Sequence, residues 1–192
     1  MATVVGCITV SPAPPTSPPV TSPPVNGASV NGKPVNGALE QPPFGRPLAD
    51  GFAPVHRWLA AVQPDVAVVI HSDHGLNFAP ATMPTFAVGA APQYRSGDEW
   101  WASTPLPPLP GQPELSWHLI DSVMRDGFDL ASCQQMLAGH AVVNPMRLLW
   151  PCAVSHWPVR LVPVHINTAQ FPLPSARRCW RLGQAIGRAI GS

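Results

Sequence analysis

The sequence predicts an α/β fold with a central, mostly parallel sheet and flanking helices. Three apolar runs rich in β-branched residues, VAVVIH at 66–71, TFAVG at 85–89 and VRLVPVHI at 159–166, have the length and composition of strands. Continuous apolar runs are typical of strands buried on both faces. Segments with helical periodicity lie between and after them, and alternation of strands with helices favours an α/β sheet.

Three helices are predicted, each from a local signal. VHRWLAAV at 55–62 has the apolar spacing of a short helix. Pro113–Arg125 starts with Pro in its first turn and carries an apolar stripe. Ser175 can cap a final helix that runs to Gly191, a residue type that often ends helices. The apolar stripes of these last two helices are Leu115, Leu119, Ile120 and Val123, and then Cys179, Leu182, Ile186 and Ile190.

The first 50 residues differ from the rest in composition. They hold 11 of the 27 Pro, and five pentads from Thr16 to Glu40 each begin with turn formers. We therefore predict a short strand in 1–11 (VVGCITV), a disordered low-complexity loop or linker over 12–50, and one α/β domain over 51–192. A ligand for a proline-recognising module is the alternative interpretation of the Pro-rich stretch.

Charge and hydropathy exclude several classes of protein. The formal charge of +1 gives no support for nucleic-acid binding, although the six Arg and no acids after Asp129 would attract a small anion. No apolar run is long enough to cross a bilayer, and the first residues lack a secretory signal, so a soluble cytoplasmic protein is expected. The four widely spaced Cys predict isolated thiols rather than a zinc site or a disulfide scaffold.

The strongest local signal for chemistry is HSDHG at 71–75, immediately after the strand residues VAVVI. The carboxyl end of a strand in an α/β sheet is where ligands usually bind. His71 and His74 flank Asp73 there, and imidazoles at such a turn can bind a first-row divalent metal. A hydrogen-bonded turn without a metal is the alternative interpretation.

Several longer blocks stand out between about Gly51 and Ile190. In chain order they are DHGLNFAPATMPTFAVGAA, DEWW, PGQPELSWHLIDSVMRDGFDL, AGHAVVNP and WPVRLVPVHINTAQFPLPSARRCWRLGQAIGRAI. In these blocks, with their order and spacing, the chain resembles the catalytic β subunit of class III extradiol ring-cleavage dioxygenases of the protocatechuate 4,5-dioxygenase, LigB-like type. The resemblance implies non-haem Fe(II), cleavage of a catechol acid such as protocatechuate or gallate with O₂, and a small α subunit as a possible partner.

The resemblance also assigns residues. His74 matches an iron ligand and His140, in AGHAVVNP, matches a pocket histidine of the family. Pro12 stands where the family has a second histidine ligand. In the family, the Glu ligand and the proton-transfer histidine lie in a further C-terminal portion, beyond the helix that corresponds to the last helix predicted here. Part of the iron site and of the sheet is therefore expected to be absent, as in a truncated member. His71 is the possible substitute ligand.

Two arginines suggest a place for a substrate carboxylate. Arg177 and Arg178 fall in the first turn of the last helix, where both the side chains and the helix dipole attract an anion. Solvent exposure without a ligand is the alternative interpretation.

Two functions are consistent with these features. The first is a dioxygenase domain whose absent ligands come from another chain or segment. The second is a non-catalytic, degenerate α/β module for binding or for a subunit interface. Because an incomplete sheet exposes an edge and an apolar face, we expect a homo- or hetero-oligomer.

Overall fold

The computed structural model describes residues 51–97, 106–151 and 156–192, together with the backbone of two short strands nearer the N-terminus. These strands, β1 (Ser29–Val30) and β2 (Lys33–Pro34), pair antiparallel inside the predicted low-complexity segment. The predicted strand in 1–11 and the remainder of 12–50 lie outside the described residues.

Within the described ranges, the main sheet has four strands and mixed direction. They are β3 (Val66–His71), β4 (Phe86–Gly89), β7 (Ala131–Cys133) and β8 (Arg160–Ile166), and their order across the sheet is β3-β8-β4-β7. The pairs β3–β8 and β4–β7 are parallel, whereas β4–β8 is antiparallel. Two further strands, β5 (Gln93–Tyr94) and β6 (Leu109–Pro110), form a separate antiparallel pair. The predicted α/β class is confirmed.

The described part of the chain contains four α-helices. They are α1 (Ala53–Val62), α2 (Pro113–Arg125), α3 (His140–Leu149) and α4 (Ala176–Gly191), and a 3₁₀ turn covers Pro80–Thr82. The sequence predicted α1, α2 and α4, and Ser175 does cap α4, because its hydroxyl accepts a hydrogen bond from the Arg178 amide at 3.3 Å. Helix α3 was not predicted, since Pro145 lies inside it.

One face of the sheet is covered by α2 and α4 with an aliphatic and aromatic core. Alternate residues of β8, Val162 and Val164, point to this face and are fully buried. The buried residues of this cluster are Phe86, Val88, Ala90, Leu119, Ile120, Val123, Phe128, Val162, Val164, Leu182, Ala185, Ile186 and Ala189. We call it the α2/α4 face.

The opposite face carries α3 and the β5–β6 pair. Its buried residues are Ala91, Tyr94, Leu109, Met136, Ala138, Val142, Val143, Met146, Trp157, Val159 and Leu161. Helix α1 packs outside α3, where the His56 ring lies 2.7 Å from the Leu148 carbonyl oxygen. We call this the α3 face.

The strand directions bring three connections to one edge of the sheet, namely the edge formed by the carboxyl ends of β3 and β8. Strands β3 and β8 end there because they are parallel, and β4 begins there because Phe86 pairs with Ile166. The loop after His71, which carries the HSDHG motif, therefore leaves the sheet at this edge. Among the helices that the structure describes, none is both long and apolar enough to span a membrane.

Candidate functional site

The loop after β3 is folded around the carboxylate of Asp73. This buried carboxylate accepts hydrogen bonds from the amides of Gly75 at 3.1 Å, Asn77 at 3.0 Å and Phe78 at 3.1 Å. Gly75 has a φ of +88°, a conformation that costs glycine little. The tight turn leaves the side chain of His74 exposed at the edge of the sheet.

Asp73 is ionised in this turn. Burial of the carboxyl group opposes ionisation, but hydrogen bonds from the Asn77 side chain and from the Asn77 and Phe78 amides outweigh it, so the pKa of Asp73 lies below its ordinary value. Because its oxygens accept hydrogen bonds from these donors, Asp73 stabilises the conformation of the turn.

The structure brings His74 and His140 together. The distance from His74 Nδ1 to His140 Nε2 is 2.9 Å, and the ring centres are 4.7 Å apart. The two histidines are 66 positions apart in the chain, and His140 is the first residue of α3. They share a small depression, whose lining consists of His71, Ser72, Asp73, His74, Leu76, Gly139, His140 and Ala141.

A second histidine pair lies beneath the first. His71 and His165 face each other in the β3–β8 register, with ring centres 5.9 Å apart. His165 is fully buried, and its Nδ1 accepts a hydrogen bond from the Asp73 amide at 3.0 Å. The Nε2 atoms of both rings are buried and have no hydrogen-bond partner among the described residues.

Both members of this second pair are neutral at neutral pH. Burial lowers the pKa of His71 to about 4, and the neighbouring His165 adds to the effect. Burial also lowers the pKa of His165, although Asp73 opposes the shift. Since His165 Nδ1 accepts a hydrogen bond from the Asp73 amide, the proton of its neutral ring is on Nε2.

The described residues do not by themselves fit a three-ligand iron centre. Within the ranges that the structure covers, no group of three or more His, Cys, Asp or Glu side chains is arranged to hold a metal ion. His74 and His140 form a pair, the carboxylate of Asp73 is engaged by amides, and His71 is buried against His165. These residues can supply one side of a metal site.

The predicted carboxylate-binding arginines lie at the start of α4. Arg177 and Arg178 are exposed in the first turn of α4, and neither lines the depression beside His74. The guanidinium carbon of Arg178 lies 5.6 Å from the ring centre of Phe86 and 5.4 Å from that of Phe128, so this side chain covers the edge of the α2/α4 core. A role in binding substrate stays a prediction.

Sequence reasoning missed two residues of this site. His165 lies inside a block that carries the family resemblance but was given no role; the alternation in VRLVPVHI places it on the face opposite Val162 and Val164, near the strand end beside His71. Asn77 lies inside the block that carries the family resemblance, and nothing in its spacing indicates a contact with Leu137.

An α/β domain with histidines at the carboxyl ends of its strands presents them where ligands bind in such folds. Residues 32–192 match the family described as the catalytic LigB subunit of aromatic ring-opening dioxygenase. The chain belongs to this family, and the predicted relationship to LigB-type extradiol dioxygenases is confirmed.

Curated relatives support the same family. A gallate dioxygenase from Pseudomonas putida is 43% identical over 95 residues, which cover 50% of this chain and 28% of the relative. A 2,3-dihydroxyphenylpropionate/2,3-dihydroxicinnamic acid 1,2-dioxygenase from a Mycobacterium species is 32% identical over 145 residues, or 76% of this chain and 44% of the relative. An Escherichia coli enzyme of the same name is 34% identical over 131 residues, or 68% of this chain and 39% of the relative. The chain thus spans less than half of each relative, and the protocatechuate subtype stays a prediction.

Proposed function

We propose that this protein takes part in the Fe(II)-dependent extradiol cleavage of a catechol acid by O₂, and that the described residues form one side of the catalytic site. The substrate proposed is gallate or protocatechuate. Family membership and the names of the relatives support ring cleavage. The observation that carries the proposal is the 2.9 Å contact between His74 and His140, at the sheet edge where ligands bind in α/β folds.

The imidazole pair suits a substrate with acidic hydroxyl groups. A neutral imidazole donates at one nitrogen and accepts at the other, so the member of the pair that is not bound to the metal can take a proton from a catechol hydroxyl. General-base catalysis by such a group typically contributes about 10²- to 10⁴-fold in rate. The exposure of His74 leaves it accessible to a small molecule in the depression.

Iron binding is proposed with His74 as one ligand. Metal-bound histidines commonly use one ring nitrogen for the metal and hydrogen-bond through the other, and the Nδ1 contact with His140 is of this kind. The described residues do not complete the donor set, so the remaining ligands are proposed to come from outside the described ranges or from a partner subunit. His71 is the substitute ligand if this site is completed locally.

The substrate carboxylate is proposed to bind near the start of α4. Arg177 is exposed there, and α4 follows the loop that leaves β8 at the same edge as the HSDHG loop. The positive end of the helix dipole adds to the attraction for an anion. Arg178 is proposed to contribute less, because it is stacked on Phe86 and Phe128.

The test is anaerobic loading of the full chain with Fe(II), followed by O₂ uptake and ring-fission absorbance with gallate, protocatechuate and 2,3-dihydroxyphenylpropionate. His74→Ala and His140→Ala are expected to abolish turnover. His118→Ala is the matched control, because His118 contacts the Ala189 carbonyl oxygen of α4 on the other face of the sheet. Turnover that survives His74→Ala contradicts the site assignment.

A non-catalytic binding or subunit-interface module is the second candidate function. Large apolar side chains of the described surface favour an interface: Phe171 is 83% exposed and Trp180 is 70% exposed. Absence of iron binding and of turnover with all three substrates, together with self-association in sedimentation, would establish this alternative. A monodisperse monomer contradicts the proposed homo-oligomer.

A further inference from the structure

The two histidines of the site are carried by separate segments, and one side chain joins those segments. We propose that Asn77 is a positioning residue that sets the geometry of the His74–His140 pair, an inference that rests on the proposed function of that pair. Asn77 follows His74 by three residues, and its side-chain partner Leu137 precedes His140 by three residues.

The amide group of Asn77 bonds to the main chain of Leu137 in both directions. Its Nδ2 donates to the Leu137 carbonyl oxygen at 3.0 Å, and its Oδ1 accepts from the Leu137 amide at 2.7 Å. These two bonds imitate the pairing of two peptide groups in adjacent strands. Together with the His74–His140 contact they close a ring of short segments, 74–77 and 137–140, so the spacing of the imidazoles depends on the Asn77 bridge.

Only a carboxamide of this length can make all of the observed contacts. The second hydrogen of Asn77 Nδ2 is donated to Asp73 Oδ1 at 2.7 Å, so both hydrogens and the oxygen of the amide are used. Aspartate would present oxygen to both acceptors, and glutamine is longer by one methylene group. Position 77 therefore requires a donor and an acceptor on one short side chain.

The bridge is anchored to the sheet from below. The Asp73 amide donates to Nδ1 of His165 on β8, which fixes the start of the turn. On the other side, the Ala138 amide donates to the Arg95 carbonyl oxygen at 2.8 Å, and the Ala138 carbonyl oxygen accepts from the Gly97 amide at 3.0 Å. These two bonds fix the segment before α3. These bonds attach Asp73 and Ala138 to other parts of the molecule and do not join segment 74–77 to segment 137–140; the Asn77 side chain makes that connection.

Asn167, in the loop after β8, provides a matched control. Its Oδ1 accepts from the amides of Ala169 and Gln170, and its Nδ2 donates to the Gln170 carbonyl oxygen. All of these side-chain bonds stay within four consecutive residues. Asn167→Ala therefore removes a comparable local brace without separating the two histidine-bearing segments.

The experiment measures the nuclear Overhauser effect between carbon-bound ring protons of His74 and His140 in the full chain labelled at histidine. The single variants His74→Gln and His140→Gln assign the signals. The cross-peak is expected in the wild type and in Asn167→Ala, and its loss is expected in Asn77→Ala and Asn77→Asp. Melting temperature and circular dichroism of each variant report the fold. If Asn77→Ala does not fold, Asn77→Asp, which keeps the acceptor for the Leu137 amide, carries the comparison.

A cross-peak that persists in the folded Asn77 variants, that is absent from the wild type, or that disappears equally in Asn167→Ala overturns the proposal. Where ring cleavage is measured, kcat/KM is expected to fall about 10- to 100-fold in Asn77→Ala. If the cross-peak depends on Asn77 but the wild type cleaves no catechol acid, the positioning role stands and the proposed function fails.

Discussion

The α2/α4 face and the α3 face differ in the side chains that the neighbouring strands β3 and β8 place on them. On the α2/α4 face, β8 contributes Val162 and Val164 to an apolar core. On the α3 face, β3 ends in His71 and β8 carries His165 as its second-to-last residue, and both rings are buried and neutral. Both faces stabilise the fold through burial of apolar surface, and the α3 face in addition buries these two polar rings.

Because of this difference, substitutions on the two faces are expected to affect the free energy of unfolding and the geometry of the histidine site to different extents. Burial of the His71 and His165 Nε2 atoms without a hydrogen-bond partner among the described residues costs free energy, and the α2/α4 face can offset that cost because its aliphatic residues are closely packed. Substitutions on the α2/α4 face are therefore expected to change the free energy of unfolding alone, and those on the α3 face to change the site as well.

The largest effect is expected from truncation of each core. Leu182→Ala on the α2/α4 face and Met146→Ala on the α3 face each remove a fully buried side chain and are expected to lower the free energy of unfolding by about 2–5 kcal/mol. Urea unfolding measures this loss. The His74–His140 cross-peak of the folded protein is expected to survive Leu182→Ala and to weaken in Met146→Ala, because Met146 lies on the helix that carries His140. Equal effects on the cross-peak would remove the distinction between the faces.

A smaller effect is expected from the buried histidine pair. The pKa of His71 is lower in the folded state than in the unfolded chain, so the unfolded state binds more protons between about pH 4 and the ordinary value of 6.5. Stability is therefore full above pH 6.5 and is lost as the pH falls towards 4, with about 2 kcal/mol lost between pH 7 and pH 5.

Urea unfolding of the wild type and of His71→Gln at the two pH values checks this prediction. The variant is expected to lose less stability on acidification, because one of the two buried imidazoles no longer titrates. The same pH dependence in both proteins would show that His71 is accessible to protons in the folded state.

The smallest effect is expected on the outer surface of the α2/α4 face. Arg188 and Asp126 form an ion pair at 2.8 Å between α4 and the end of α2, and both side chains are substantially exposed. Solvent screening limits such pairs, so Arg188→Ala is expected to cost less than about 1 kcal/mol. Thermal unfolding measures this change in stability. A loss larger than about 1 kcal/mol would mean that the ion pair is needed to hold α4 against the sheet.

The sequence was sufficient for those elements whose local signals agree. Pro113–Arg125 was predicted with the boundaries that the structure shows, and β8 was predicted to within one residue. Continuous apolar runs and first-turn proline are local properties, so no tertiary information is needed to interpret them. Helix α3 was missed because Pro145, in its interior, is a signal against a helix, and packing on the α3 face overrides it.

The site required information that spacing does not contain. His74 and His140 were both identified by family resemblance, but their contact depends on the position of β8 between β3 and β4 and on the placement of α3. The antiparallel pairing of β4 with β8 also has no local signal, because a parallel strand of the same composition would be equally apolar. His165 could have been found by strand alternation, whereas the Asn77 bridge could not.

The edge opposite the histidines offers a place for attachments. The short connection from α1 to β3 passes there through Gln63 and Asp65, both exposed, with Gln63 in the left-handed region at a φ of 48°. Strand β3 separates this turn from the HSDHG loop. A fluorophore or an immobilisation tag introduced at position 63 would therefore lie at the opposite end of β3 from His74 and would not contact the proposed site.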